Sequence, residues 1–141
     1  AGNFQTEILV GPSLIEQKLI HGVTLVATGA EEFKPNEYLY GQDKRVMTQL
    51  ELEKRLINNA EEILEQKVTV MIQCVGSRNE EHPYCSRVCC PEAIKNALKL
   101  KANSPEMTIY ILCRDIRTYG FLERYYAEAR RQGVIFLRYE A

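Results

Sequence analysis

The strongest constraint on the fold is a regular alternation in the second half of the chain. VTVMIQC (68–74), MTIYILC (107–113) and VIFLRY (134–139) are short, β-branched apolar runs, and PEAIKNALKLK (91–101) and FLERYYAEARRQ (121–132) between them repeat apolar residues at helical spacing. Strand-length runs separated by helices predict a βαβαβ unit. Such a unit implies a parallel sheet with right-handed crossovers, because a twisted strand feeding a helix packs back onto its sheet in that hand. Pro91 falls where a helix's first turn has no use for an N–H, and Gly133 falls where the next helix needs a residue to end it.

The first half is less regular. AGNFQTEILV alternates loosely and is broken by Gly11-Pro12-Ser13, which predicts a strand and a turn. Val23 to Ala27 is a continuous apolar run ending at Gly29, the pattern of a buried strand arriving at a tight turn, and EEFKPNEYLYGQDKR then reads as loop. Thr48 and Glu51 have the spacing of a capping box. Leu50, Leu52, Leu56, Ile57, Ala60, Ile63 and Leu64 continue from it as a helical stripe, which Asn58-Asn59 divides into two short helices. The fold class is therefore α/β: an incomplete Rossmann-like sheet (67–141), linker helices (48–66) and an N-terminal β segment with its loop (1–47).

Composition sets outer limits. With 141 residues, 45% of them hydrophobic and 26% charged, the chain has the makings of a globular domain. Its apolar stretches are far shorter than the roughly 20 residues a membrane span needs, and no signal segment opens it, so a cytoplasmic setting is expected. A net charge of −1 with interspersed signs provides no field to attract nucleic acid.

Five cysteines in such a setting point to metal more than to disulfides. Four of them, Cys74, Cys85, Cys89 and Cys90, share the connection QCVGSRNEEHPYCSRVCCP between the first strand and first helix of the βαβ unit. Several thiolates converging from one loop can hold a cluster or a tetrahedral ion without disturbing the sheet. The positive end of the following helix, with Arg78 and Arg87, would favour their anionic form. Adjacent Cys89 and Cys90 fit poorly around a single zinc ion and better around a [4Fe–4S] cube, though zinc and redox-active thiols stay open. Gln73, Ser77, Ser86 and the amides after Cys90 are candidate donors to the sulfurs; His82 reads as a solvated loop residue, and His21 as structural. Cys113 ends an apolar strand and reads as a core thiol, with Tyr119, Tyr125 and Tyr126 as packing residues.

Four stretches, LVATGAEEFKP, MIQCVGSR, YCSRVCCPEAIKNALKLK and YILCRDIRTYGFLERYYAEARRQGVIFLRY, together resemble the A-type subunits of heterodisulfide reductase and their relatives, including the C-x10-C-x3-C-C spacing. The resemblance implies a flavoprotein on the thioredoxin-reductase plan that carries FAD and iron–sulfur clusters and passes electrons through a complex with other subunits. In methanogens that complex reduces the CoM–CoB heterodisulfide. It also implies Cys74, Cys85, Cys89 and Cys90 as ligands of a [4Fe–4S] cluster, and FAD close to the Ala27-Thr28-Gly29 turn in the full-length parent. The family's N-terminal dinucleotide fingerprint, ferredoxin-like cysteine repeats and C-terminal flavin motif are absent here, so the chain resembles an excised piece.

On that plan a glycine-rich turn would hold a dinucleotide pyrophosphate where this chain has its cysteine loop. No G-x-G-x-x-G occurs, so a metal site is expected in place of an NAD(P)H site. Arg114 and Arg117 in CRDIR are the residual candidates for a nucleotide phosphate. The leading expectation is an electron-transfer module; a structural zinc or subunit-docking module and a small NAD(P)-binding domain are the alternatives.

Overall fold

The computed structural model describes residues 2–29, 31–58 and 60–140, which form two compact units, Ala1–Glu32 and Phe33–Ala141. In the first, β1 (Phe4–Val10) pairs antiparallel with β2 (Ile15–His21), with Phe4 opposite His21 and Val10 opposite Ile15. Gly11, in the left-handed region at φ 73°, starts the turn, and the Leu14 amide closes it on the Gly11 carbonyl at 3.1 Å. The hairpin is fastened across its strands by Lys18 and Glu7 at 3.1 Å and by the His21 ring, which stacks on Phe4 and meets Thr6 Oγ1 at 2.7 Å.

The strand expected over the first residues is β1, although Ala1 lies outside the described residues. The strand expected at Val23 to Ala27 is not formed: 22–29 has no regular structure, and Leu25 and Val26 are 88% and 82% exposed. The second strand is Ile15–His21 instead. A tight turn brings that segment directly against β1, where its backbone finds partners, whereas the apolar run finds no strand partner among the described residues of this unit.

The second unit begins its regular structure with α1 (Gln49–Asn58) and α2 (Ala60–Leu64); Asn59, expected to help divide them, lies outside the described residues. The capping box is formed in both directions. Glu51 N–H donates to Thr48 Oγ1 at 3.2 Å, and Thr48 N–H donates to the Glu51 carboxylate at 2.9 Å. The Thr48 amide bond, opposed by partial burial and helped by the Tyr40 hydroxyl, holds the Glu51 carboxyl below its usual range. Thr48→Ala should therefore lower the stability of this unit by about 1 kcal/mol, read as a lower urea midpoint at unchanged slope.

The rest alternates as expected: β3 (Val68–Ile72), α3 (Cys89–Asn103), β4 (Thr108–Cys113), a 3-10 turn at Gly120–Leu122, α4 (Glu123–Arg131) and β5 (Ile135–Arg138). The three strands form one parallel sheet in the order β3-β4-β5, with Val68 beside Thr108 and Tyr110 beside Ile135. Pro91 sits in the first turn of α3, and Gly133 follows α4 at φ 81°.

Strand alternation then divides the sheet into two faces. Met71, Ile109 and Ile111 join Ala93, Ile94, Ala97 and Leu100 of α3, Ala129 of α4, and Leu52 and Leu56 of α1 in one core. Val68, Val70, Ile135 and Leu137 point the other way and are exposed. The sheet is thus buried on one face and exposed on the other. Asn96, fully buried in α3, ties this core to α1 by donating to Gln49 Oε1 at 2.8 Å. Among the described residues no helix is long and apolar enough to cross a membrane.

Candidate metal centre

Cys74 lies just past the end of β3, Cys89 and Cys90 open α3, and Cys85 lies in the connection between them. Parallel strands deliver their C-terminal ends to one edge of the sheet, and the connection to the following helix must turn there. This connection turns through left-handed backbone at Cys74 (φ 64°), Gly76 (φ 68°), Arg78 (φ 60°) and Arg87 (φ 63°). For Cys74 and the two arginines that conformation costs about 1–2 kcal/mol each and persists only where the surroundings hold it. A Cβ at Gly76 would also come within 2.1 Å of the Phe33 ring and displace it from the loop; that ring meets His82 in an edge contact. His82 lies between Phe33 and Tyr84, and its carbonyl accepts from the Arg78 amide at 2.6 Å, closing a small turn.

The first turn of α3 has no side-chain cap. Its N-cap residue is Val88, which has no oxygen to offer, so the helix begins on two thiols and their own amides. Donation from the Cys90 thiol, with Ser86 and the amides of Cys89 and Cys90, brings the Cys89 thiol down to about 6 against the opposing push of burial. The same donation, with burial, pushes the Cys90 thiol up, while the Arg117 amide works the other way.

The remaining candidates fall into place around them. Arg78 Nη1 lies 3.8 Å from Cys74 Sγ, as its sequence position suggests, whereas the Arg87 guanidinium lies over the Tyr119 ring and only its amide donates to Cys85 Sγ, at 3.3 Å. Gln73 is buried; its carbonyl accepts from the Tyr139 hydroxyl at 2.6 Å and its side-chain Nε2 has no protein partner. Ser77 lines a cleft of about 170 Å³ beside Cys74, Gly76, Arg114 and Tyr139. Cys113, the last residue of β4, is buried with its Sγ directed to the Leu137 carbonyl, and burial pushes its thiol up. Tyr126 packs edge-on against Phe136, but Tyr119 and Tyr125 are exposed and carry arginines on their rings.

Arg114 and Arg117 are turned to the cysteine loop: Arg114 Nη1 donates to the Arg78 carbonyl and Arg117 Nε to the Asp115 carboxylate at 3.2 Å. Ala27, Thr28 and Gly29 belong to the other unit, where they are exposed. Among the described residues no three His, Cys, Asp or Glu side chains are drawn together tightly enough for a single ion. The donor chemistry nonetheless fits an iron–sulfur group: soft sulfur ligands, uncapped amides and a buried amide nitrogen, Gln73 Nε2, in want of an acceptor.

Fold and site together define an incomplete Rossmann-like α/β protein with thiols standing where a dinucleotide turn would be. No protein-family model matches the chain. It is 46% identical over 134 residues to the A-type subunit of the H(2)/formate:CoB-CoM heterodisulfide,ferredoxin reductase of Methanococcus maripaludis, covering 83% of this chain and 20% of that protein. The A-type iron-sulfur subunits of the CoB--CoM heterodisulfide reductases of Methanopyrus kandleri and Methanocaldococcus jannaschii are each 41% identical, over 87% of this chain and 21% of their own length. The chain belongs to the family of heterodisulfide reductase A-type subunits and spans about a fifth of the length of the curated relatives it matches.

Proposed function

We propose that Cys74, Cys85, Cys89 and Cys90 ligate a [4Fe–4S] cluster and that the chain is an electron-transfer segment of a heterodisulfide-reductase-type oxidoreductase. The observation that carries this reading is the start of α3, where Cys89 and Cys90 occupy an uncapped helix N-terminus beside the strand end that supplies Cys74. A cluster held by these four cysteines would supply reversible one-electron chemistry. The protein's part is to hold the thiolates, donate to their sulfurs and keep water away. Ser86 and the amides of Cys89 and Cys90 donate to the Cys89 sulfur, and the Phe33 ring lies against Gly76 of the loop. Binding completes the ligand shell, since metal binding and local folding are one process.

In the full-length parent the flavin is FAD, with Ala27-Thr28-Gly29 near it, and other subunits of a cytoplasmic complex are the partners. The relatives' names, which describe an iron–sulfur subunit of a heterodisulfide reductase, support the iron–sulfur and partner-subunit parts of this reading. The test is iron, sulfide and zinc content per chain with an absorption spectrum, on full-length protein prepared without oxygen and from which the iron bound by its other clusters has been subtracted. About four irons assigned to this loop and lost in Cys85→Ser are expected. Zinc in their place would mean a structural or docking module and overturn the electron-transfer reading.

A further inference from the structure

The segment that follows β4 folds over the cysteine loop, and Asp115 is its hub. One carboxylate oxygen takes Arg78 Nη1, the nitrogen that also faces Cys74 Sγ at 3.8 Å, and the other takes Arg117 Nε at 3.2 Å. The backbone of the same segment reaches α3, with Cys90 Sγ 3.9 Å from the Asp115 carbonyl. Arg78 and Arg117 are the more enclosed partners, their side chains 21% and 28% exposed, and Asp115 is 41% exposed. We infer that Asp115 is a positioning residue for the cysteine site: it fixes Arg78 against Cys74 and Arg117 beside the loop, and thereby raises the reduction potential of the group those cysteines hold.

The inference rests on the cluster reading above. Reduction adds a negative charge to the site, so a cation held nearby stabilises the reduced form more than the oxidised form and raises the potential. An arginine side chain is long and loses considerable conformational freedom when fixed, and a carboxylate that accepts from its planar fork holds it in one position. The grip is on the side chain alone. The backbone carbonyl of Arg78 is held separately by Arg114, so loss of the Asp115 charge leaves the course of the loop in place.

The sign of the effect separates positioning from mere charge. Removing a carboxylate with nothing else moving makes the site more positive and raises the potential; releasing the two guanidinium groups lowers it. The experiment is a redox titration followed by electron paramagnetic resonance on the full-length protein, wild type against Asp115→Asn, Asp115→Glu and Arg78→Gln, with iron content measured first. Expected are a more negative potential for this cluster in Asp115→Asn and Arg78→Gln and a near-native one in Asp115→Glu. An unchanged or raised potential in Asp115→Asn overturns the inference. Wild type without iron in this loop overturns the cluster reading instead. In that case, or if Asp115→Asn fails to load iron, the metal-free protein decides: the Arg117 Nε–H nuclear magnetic resonance signal moves to its free-arginine position in Asp115→Asn, and an unmoved signal overturns the positioning role.

Discussion

Cys90→Ala is expected to abolish iron binding at the cysteine loop of the anaerobically prepared full-length protein, whereas Cys113→Ala should leave it at about four irons and cost about 1 kcal/mol of stability. Both thiols are almost wholly buried, at 2% and 4% exposure, and burial alone would class both as core residues. Position separates them. Cys90 stands in the first turn of α3 next to Cys89, with its Sγ towards the turn that carries Asp115 and Arg117. Cys113 ends β4, with its Sγ directed at a carbonyl of β5. Alanine is a good helix former and close to cysteine in size, so Cys90→Ala keeps the fold that Cys113→Ala also keeps. Iron content and a urea midpoint on each variant check the pair; equal loss of iron in both would mean that the ligand set has been misassigned.

Much of this arrangement is legible from local pattern. Val68, Thr69 and Val70, the paired Ile109 and Ile111, Pro91 at a helix start and Gly133 at a helix end each act within a few residues of their position, and so the parallel unit follows from them. The capping box is readable for the same reason, since Thr48 and Glu51 are three apart. The four ligand candidates are visible as sulfur chemistry gathered in one loop.

What the sequence hides depends on tertiary partners. Val23 to Ala27 has the composition of a buried strand, but burial requires a layer to meet it, and nothing in the run encodes one. β2, with Glu16, Gln17 and Lys18 at its centre, is poor in strand signals and forms because the turn at Gly11 places it against β1. Asp115 is 37 positions from the arginine it grips, in a motif that invites a phosphate-binding reading of Arg114 and Arg117. Arg87 has the sequence position of a second cation for the thiolates, yet a left-handed backbone turns its side chain onto Tyr119. The cover that Phe33 gives Gly76 is a contact across more than 40 residues of chain, visible in the sequence only as a glycine in a loop.

Ile111→Ala, in the middle of β4, is expected to destabilise the second unit by about 3 kcal/mol. Ile111 is fully buried on the central strand, with β3 on one side at Met71 and β5 on the other at Phe136. Its side chain faces the layer of helices, so truncation opens a cavity that the flanking backbone, hydrogen-bonded on both edges, cannot close. Val70→Ala, on the exposed face of β3, is the control, with an expected cost within about 0.5 kcal/mol. Urea unfolding of metal-free protein, followed by a probe in this unit, measures both. The sheet fixes where Cys74 leaves β3 and, through the α3 packing, where Cys90 enters its helix, so Ile111→Ala should also release bound iron to a chelator faster while Val70→Ala does not. Faster release with unchanged stability would mean that the loop, and not the sheet beneath it, sets the geometry of the site.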